Sequence, residues 1–385
     1  MASASGDSTN KAARSTLAVG QRAVVAIEKV AHGGHFIARL DGAVIFVRHG
    51  IPGETVEIEL ISVGKSFSRA NVIKVLTPSP DRVTAPCSFS GAGKCGGCDF
   101  QHISAQRQRD LKADVIEEQF ARIAKRELRI EVEEVSGSLH WRTRCGVNID
   151  SQGRAGFYKS RSHDVLPISS CPVLVTELKY SEFAARKHEP NSRVDLSASN
   201  FTVGNHTFKV SPQSFWQSHK DAPSVLTEAM LKFADLRDGD HVLDLYGGVG
   251  LFSAAIADQI GESGHIELVE GSKFATADAK VNFADNSRIE IRTGDVAKIL
   301  PRISKADVIV LDPPREGAGA EVAAEIGRLQ PRRVVYIACD PAALARDVSY
   351  LEAQGFVLTQ LRAFDLFPMT HHIECIALFE AREVS

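Results

Sequence analysis

Three residues, Asp312, Cys339 and Glu374, stand at the edges of apolar segments near the C-terminal end, where they could act on one ligand. The segment RRVVYIACD at 332–340 is rich in β-branched and aromatic residues and reads as a buried strand. Pro341 then opens a helix. A cysteine on such a strand-to-helix turn lies outside the carboxyl ends of parallel strands, where open α/β sheets bind ligands. Free cysteine is more often a small buried hydrophobe than a nucleophile, so Cys339 takes its role from its surroundings.

Those surroundings point to a methyl donor. In VLDLYGGVGLFSAAIA at 242–257 a strand ends at Asp244, a Gly-rich turn follows and a helix starts near Leu251. Glycines let a ligand approach the backbone, and a helix N-terminus favours anionic groups. Gly247, Gly248 and Gly250 do not spell the dinucleotide pattern G-x-G-x-x-G. Glu270 ends the next strand, where a carboxylate can hold ribose hydroxyls. The combination favours S-adenosylmethionine over a nucleotide or a purely structural turn. In LDPPREGAG at 311–319, Asp312 ends a further strand and two prolines stiffen the turn. Enzymes that methylate exocyclic amines place an aromatic after Asp-Pro-Pro, and here Arg315 stands there. The rival reading of Asp312 is a cap on a Pro-rich turn.

A thiolate adding to C6 of a pyrimidine makes C5 carbanion-like and able to attack a methyl sulfonium. A base must then remove the C5 proton. Glu374, in the apolar segment MTHHIECIALFE, is the candidate, because burial raises a carboxylate toward the range of a neutral-pH base. By strand alternation Cys375 points the other way, into the core. His371 and His372 lack a completing metal ligand and read as site-lining or structural.

The chain holds seven cysteines and no signal-peptide core, which argues for a reducing, cytoplasmic setting. Cys87, Cys95-Gly-Gly-Cys98 and Cys171-Pro172 form a second constellation, fitting a structural zinc or an iron–sulfur cluster. The distant fourth ligand followed by proline leans toward the cluster, and Cys145 is read as core. Net charge is −3, so no globally basic nucleic-acid binder is indicated. Any such grip is local, for example Arg142, Arg144, Arg154, Lys159 and Arg161, which otherwise form an ordinary charged surface. No apolar run reaches the roughly 20 residues of a membrane span.

The elements that must position these groups fall into blocks. Residues 1–17 are polar and expected as a disordered tail. Residues 18–76 read as five short strands of an OB-type β-barrel, equally compatible with RNA binding and with a structural role. Residues 77–205 form a mixed central domain with an amphipathic helix near 103–127 and strands near 142–150 and 154–168. Residues 206–385 alternate strand and helix, predicting a seven-stranded, doubly wound, Rossmann-like α/β domain with an antiparallel edge. The predicted strands are 241–246, 265–270, 288–293, 306–312, 332–340, 356–367 and 372–380.

From about residue 18 to 382 the set resembles the bacterial RNA 5-methyluridine methyltransferases. DGAVIFVRHGIPGE resembles the central part of their TRAM domain, an RNA-binding OB-type module. The resemblance implies a [4Fe–4S] cluster on Cys87, Cys95, Cys98 and Cys171. SPQSFWQ at 211–217 matches a family segment and implies that Gln217 contacts S-adenosylmethionine, with Tyr246, Glu270 and Asp312 as further cofactor contacts beside Gly247. It implies Cys339 as nucleophile and Glu374 as proton acceptor. The chain departs from the family in having Asp340 where Asn is frequent after the nucleophile, and His219 where Asn is frequent after the SFWQ-type segment. Phe215 or Trp216 is open to base stacking or to a core role. The expected partner is RNA, ribosomal first and transfer RNA second, with the target uridine flipped into the crevice. A monomer is expected. The alternatives are cytosine-C5 methylation, a non-catalytic RNA-binding protein on a methyltransferase fold, and a cluster-bearing redox or radical enzyme, which lacks its Cys-x3-Cys-x2-Cys motif.

Overall fold

The computed structural model describes residues 17–198 and 201–382. The tail expected at 1–17 lies outside these residues, apart from Leu17. Five strands, β1 (Arg22–Ala31), β2 (His35–Leu40), β3 (Ala43–Arg48), β4 (Thr55–Val63) and β5 (Ser68–Thr77), close a barrel in the order β1-β2-β3-β5-β4. Alternation of small apolar residues fills it: Val25, Ile27, Phe36, Ala38, Ile45, Val47, Ile58 and Leu60 all point inward.

Helix α1 (Ala105–Gln119) follows and continues as a π-type turn through Ala124. Strand β6 (Val132–Glu134) then pairs in parallel with a strand of the C-terminal sheet. Sequence reading placed this stretch with the cysteine region, and its packing is with the catalytic sheet instead. Lys112 of α1 shows why: it is fully buried and donates to Asp365 Oδ1 (2.6 Å) and to the Phe367 carbonyl (3.1 Å). Losing either partner would strand a buried charge, at a cost of roughly 3–5 kcal/mol. A four-stranded sheet, β10-β7-β8-β9, carries the central region, with β7 Arg144–Ile149, β8 Ala155–Tyr158, β9 Val165–Pro167 and β10 Arg193–Ser197. Short helix α2 (Tyr180–Ala184) and the two-residue strands β11 (Thr202–Val203) and β12 (His206–Thr207) lead onward.

The C-terminal domain runs α3 (Ala222–Ala234), β13 (His241–Leu245), α4 (Leu251–Ala257), β14 (His265–Glu270), α5 (Lys273–Asn282), β15 (Ile289–Thr293), α6 (Val296–Ile299), β16 (Val308–Leu311), α7 (Gly319–Leu329), β17 (Arg333–Ala338), α8 (Pro341–Ala353), β18 (Phe356–Asp365) and β19 (Glu374–Ala381). The seven expected strands are present, and β6 adds an eighth, giving the order β15-β14-β13-β16-β17-β19-β18-β6. The three-residue β6 is too short to carry a readable strand period, which is why the sequence reading did not count it. Strand order reverses between β13 and β16, which opens a crevice at their carboxyl ends.

Both faces of this sheet are covered, and the period of two decides which residue serves which face. Val334, Tyr336 and Ala338 join one core, shared with α7, α8, α1 and the barrel. Val335 and Ile337 join the other, shared with α3, α4 and α5.

Candidate active site

The same alternation assembles the site. Val242, Ile266, Leu268, Val308, Val310, Ile337, Ile376 and Leu378 all face the core beneath α3–α5. Counting in twos from them to the strand ends carries Asp244, Glu270, Asp312, Cys339 and Glu374 onto that one face. Register adds a sharper statement. β17 and β19 are antiparallel with Arg333 opposite Glu380 and Ala338 opposite Cys375. One further step sets Cys339 opposite Glu374, and directly opposed residues present their side chains to the same face.

The Gly-rich turn is tightly shaped. Tyr246 has φ +60°, Gly248 φ +57° and Gly250 φ +97°, so three of five consecutive residues are left-handed. For Tyr246 such a conformation costs about 1–3 kcal/mol and is held by its surroundings. A Cβ on Gly250 would lie 2.1 Å from Phe283, and one on Gly247 would lie 2.8 Å from Leu268. Asp244 closes the turn from below: Oδ2 accepts from the Ser253 amide (3.0 Å) and hydroxyl (2.6 Å). Its Oδ1 is buried and unbonded among the described residues. Glu270 accepts from the amides of Gly248 (3.0 Å) and Ser272 (2.6 Å), which fixes its carboxylate at the turn.

Gln217 reaches this crevice from outside the sheet and donates to Asp312 Oδ2 at 3.3 Å. Its segment is anchored by Asp278 of α5, which accepts from the Ser211 amide and hydroxyl (2.7 Å each) and the Ser214 hydroxyl (2.6 Å). The loop after Asp312 is held by Asp347 of α8, which accepts from the amides of Ala318 (2.7 Å) and Gly319 (3.2 Å) and from the Tyr336 hydroxyl (2.7 Å).

Electrostatically the crevice is a chain of carboxylates. Burial, with Glu270 adding, pushes Asp244 up to about 7. Burial, then the charge of Asp244, raises Asp312, while the Gln217 hydrogen bond opposes the rise. Burial and the Asp312 charge raise Glu374 well above the usual carboxylate range. Cys339 is half-buried and pushed up to about 12 by burial, then by Glu374 and Asp312; Arg315 acts in the opposite sense. Such a pocket favours a cation, because a positive ligand relieves the repulsion among the carboxylates.

A second cavity, of about 600 Å³, is lined by Cys87, Cys95, Cys98 and Cys171 together with Cys145. Cys145 is buried, as expected of a core residue, yet it also forms part of this wall. The Gly97 amide donates to Cys95 Sγ at 3.4 Å, and the Leu174 amide donates to the Cys171 carbonyl at 3.2 Å. Burial raises the thiols of Cys95, Cys98 and Cys171, the last two to about 12 and about 11, and the Gly97 amide opposes the rise at Cys95. Among the described residues no three of these sulfurs lie within 4.8 Å of one another.

Comparison with known proteins is consistent along the chain. The tRNA (Uracil-5-)-methyltransferase family profile matches residues 295–382, the TRAM domain profile 17–73 and the methyltransferase small domain profile 205–328. A Streptomyces coelicolor protein described as an uncharacterized RNA methyltransferase is 38% identical, covering 94% of this chain and 93% of its own. A Shewanella amazonensis 23S rRNA (uracil(1939)-C(5))-methyltransferase is 31% identical, covering 94% of this chain and 96% of its own. The chain belongs to the RNA (uracil-5-)-methyltransferase family. The fold agrees: the Pyrococcus abyssi tRNA (uracil-54, C5)-methyltransferase, solved with S-adenosyl-L-homocysteine, superposes with a TM-score of 0.70 at 18% identity, covering 92% of this chain and 99% of its own. No helix among the described residues is long and apolar enough to cross a membrane.

Some roles were invisible or undecided in the sequence. Trp216 is 6% exposed and packs against Phe201 and Phe208, whereas Phe215 is 64% exposed. Phe215 borders a groove with Arg142, Arg144 and Arg193. Arg144 is engaged there by the Ser214 and Pro212 carbonyls, and Arg154 pairs with Asp150, so neither guanidinium is unpartnered. His219 is buried, stacked on Trp141, and lowered to about 4 by burial. His371 binds Asp99 Oδ2 at 2.6 Å, and His372 lies 3.5 Å from Arg315. Asp278 was missed. A buried aspartate inside a helix was its only signal, and what it anchors is 64 residues or more away.

Proposed function

We propose that the protein makes 5-methyluridine in RNA by a covalent addition mechanism, with ribosomal RNA as the first-choice substrate and transfer RNA the second. The observation that carries it is the register placing Cys339 opposite Glu374, on the sheet face that also presents Asp312 and the Gly-rich turn. The relative at 31% identity names a ribosomal RNA target, which supports the ranking of substrates.

S-adenosylmethionine, when bound, supplies a methyl group on a positively charged sulfur. The residues proposed to hold it are Gln217, Tyr246, Gly247, Glu270 and Asp312. The fit rests on the unbonded Asp244 oxygen, on the lack of room for a side chain at Gly247, and on the carboxylate-rich crevice that a cation would relieve.

The chain's own residues then act in order. Cys339 gives its proton to solvent, and the thiolate bonds to C6 of uracil, pushing the C5–C6 electron pair onto C5 and O4. C5 takes the methyl group, and the carbon–sulfur bond of the donor breaks, leaving S-adenosylhomocysteine. Glu374 removes the C5 proton, C5=C6 reforms, and the C6–sulfur bond breaks to return the thiolate. The proton on Glu374 passes to solvent.

Cys87, Cys95, Cys98 and Cys171 are proposed to hold a [4Fe–4S] cluster. A cluster there would be structural, because the methylation is redox-neutral; its residues staple the loops around the central sheet.

To test the function, undermodified total RNA is incubated with the enzyme and a labelled methyl donor, and the labelled nucleoside is mapped. Label at uridine C5 is expected. Label on an exocyclic nitrogen, a ribose or a cytosine C5 would sink the reading.

A further inference from the structure

The residue after the nucleophile makes a contact that the methyl-transfer scheme does not use. Alternation turns Asp340 away from the crevice that Cys339 faces and toward the barrel. Its Oδ1 accepts from the amides of Ala342 and Ala343 at 2.9 Å each, capping α8. Its Oδ2 lies 3.0 Å from His32 Nε2. His32 is on the turn between β1 and β2, some 300 residues away in sequence, and its side chain is 40% exposed at the domain boundary.

This turn is wedged in place. Gly33 and Gly34 have φ of +89° and +77°. A Cβ on Gly34 would come within 2.8 Å of His371 Nδ1, so only glycine permits the approach. Beside it Asp99 joins the two domains, taking Arg48 of β3 at 2.7 Å and His371 at 2.6 Å. The core of the barrel is continuous with the sheet through Phe36 and Phe100, whose ring centroids are 5.8 Å apart. His32 therefore meets Asp340 from a turn packed against the sheet domain.

We propose that His32 is a positioning residue of the methyl-transfer site: by engaging Asp340 it offsets a carboxylate next to the nucleophile, so the docked barrel contributes to thiol reactivity. The proposal rests on Cys339 being the nucleophile. The ionisable groups facing Cys339 are Glu374, Asp312, Asp340 and Arg315; burial raises Glu374 and Asp312, whereas Asp340, against the effect of burial, is held below the usual carboxylate range by its His32 contact and the amides at the start of α8. Thiolate formation sets a negative charge beside the ionised Asp340, so compensation of Asp340 favours it. Among the described residues, Asp340 is the only one of these carboxylates with a contact to the barrel.

The test uses the full-length protein as wild type, His32→Ala, Asp340→Asn and the double variant. Asparagine caps helices as well as aspartate, so Asp340→Asn keeps the helix start. Cys339 reactivity is read as the rate of iodoacetamide modification across pH, located by mass spectrometry, alongside single-turnover methylation across pH. His32→Ala should slow modification near neutral pH about three- to tenfold, as an uncompensated charge one residue away would. Asp340→Asn should remove that sensitivity, so the double variant should react at least as fast as wild type. An unchanged rate in His32→Ala, or a double variant as slow as His32→Ala, overturns the proposal; the second result would mean that the histidine matters only to barrel docking. A parallel arm keeps the two readings apart: 5-fluorouridine RNA should trap a covalent adduct that Cys339→Ala abolishes. If the adduct persists in Cys339→Ala, the nucleophile assignment itself fails.

Discussion

Replacing Glu374 by glutamine separates the methyl-transfer step from the proton-removal step. Glu374 is 3% exposed on β19, and glutamine has nearly its volume, so the variant leaves no cavity. What it loses is the proposed base. A positioned general base contributes about 10²- to 10⁴-fold, or roughly 3–5 kcal/mol of barrier. The earlier steps keep their machinery, because Cys339, Asp312 and the Gly-rich turn are unchanged. The variant should therefore transfer a single methyl group per enzyme and then stall as a covalent protein–RNA complex that already carries the methyl group. Steady-state turnover should fall by about 10²- to 10⁴-fold. The assay uses methyl-labelled donor and undermodified RNA, with label followed in free RNA and in a denaturant-resistant complex. Turnover within tenfold of wild type, or stalled RNA with no label in the complex, would refute the assignment of Glu374 as the base.

In the proposed mechanism Cys339 and Glu374 both act deprotonated, and both are raised by burial, so single-turnover methylation should climb with pH between about 6 and 9, which a pH–rate profile checks. Asp312→Asn tests the same electrostatics through stability. Its carboxyl is raised in the folded state, so its contribution is complete below the unfolded value of about 3.9 and is lost as pH rises through the folded one. The variant should therefore melt above wild type near pH 8, with the difference shrinking toward pH 4, as read by thermal unfolding. Gly250→Ala forces a Cβ into Phe283 at φ +97°, and should cost roughly 2–4 kcal/mol in denaturant unfolding and weaken donor binding by calorimetry. Protein purified without oxygen should carry about four irons per chain. Changing Cys95 and Cys98 together to serine should remove that iron and lower both the melting temperature and methylation; a folded, fully active, iron-free variant contradicts the structural role proposed for a cluster.

Much of this protein is local enough to be read along the chain. The strand ends at Asp244, Glu270, Asp312 and Cys339, the glycines of the turn after Leu245, and the five barrel strands follow from periodicity and turn chemistry, which act over a few residues. The identity of the reactive groups is likewise a property of residue type in that setting. What the tertiary structure decided is pairing over distance. The antiparallel register that sets Cys339 opposite Glu374 depends on how β19 returns beside β17, and a slip of one residue would turn Glu374 to the opposite face. Strand β6 is too short to announce itself and exists because β18 leaves an edge for it. Asp278, Asp347 and His32 show the same limit, since each acts on backbone or side chains brought near only by folding. Periodicity tells a residue which face it serves; only the closed sheet and the docked barrel tell it which neighbour it meets there.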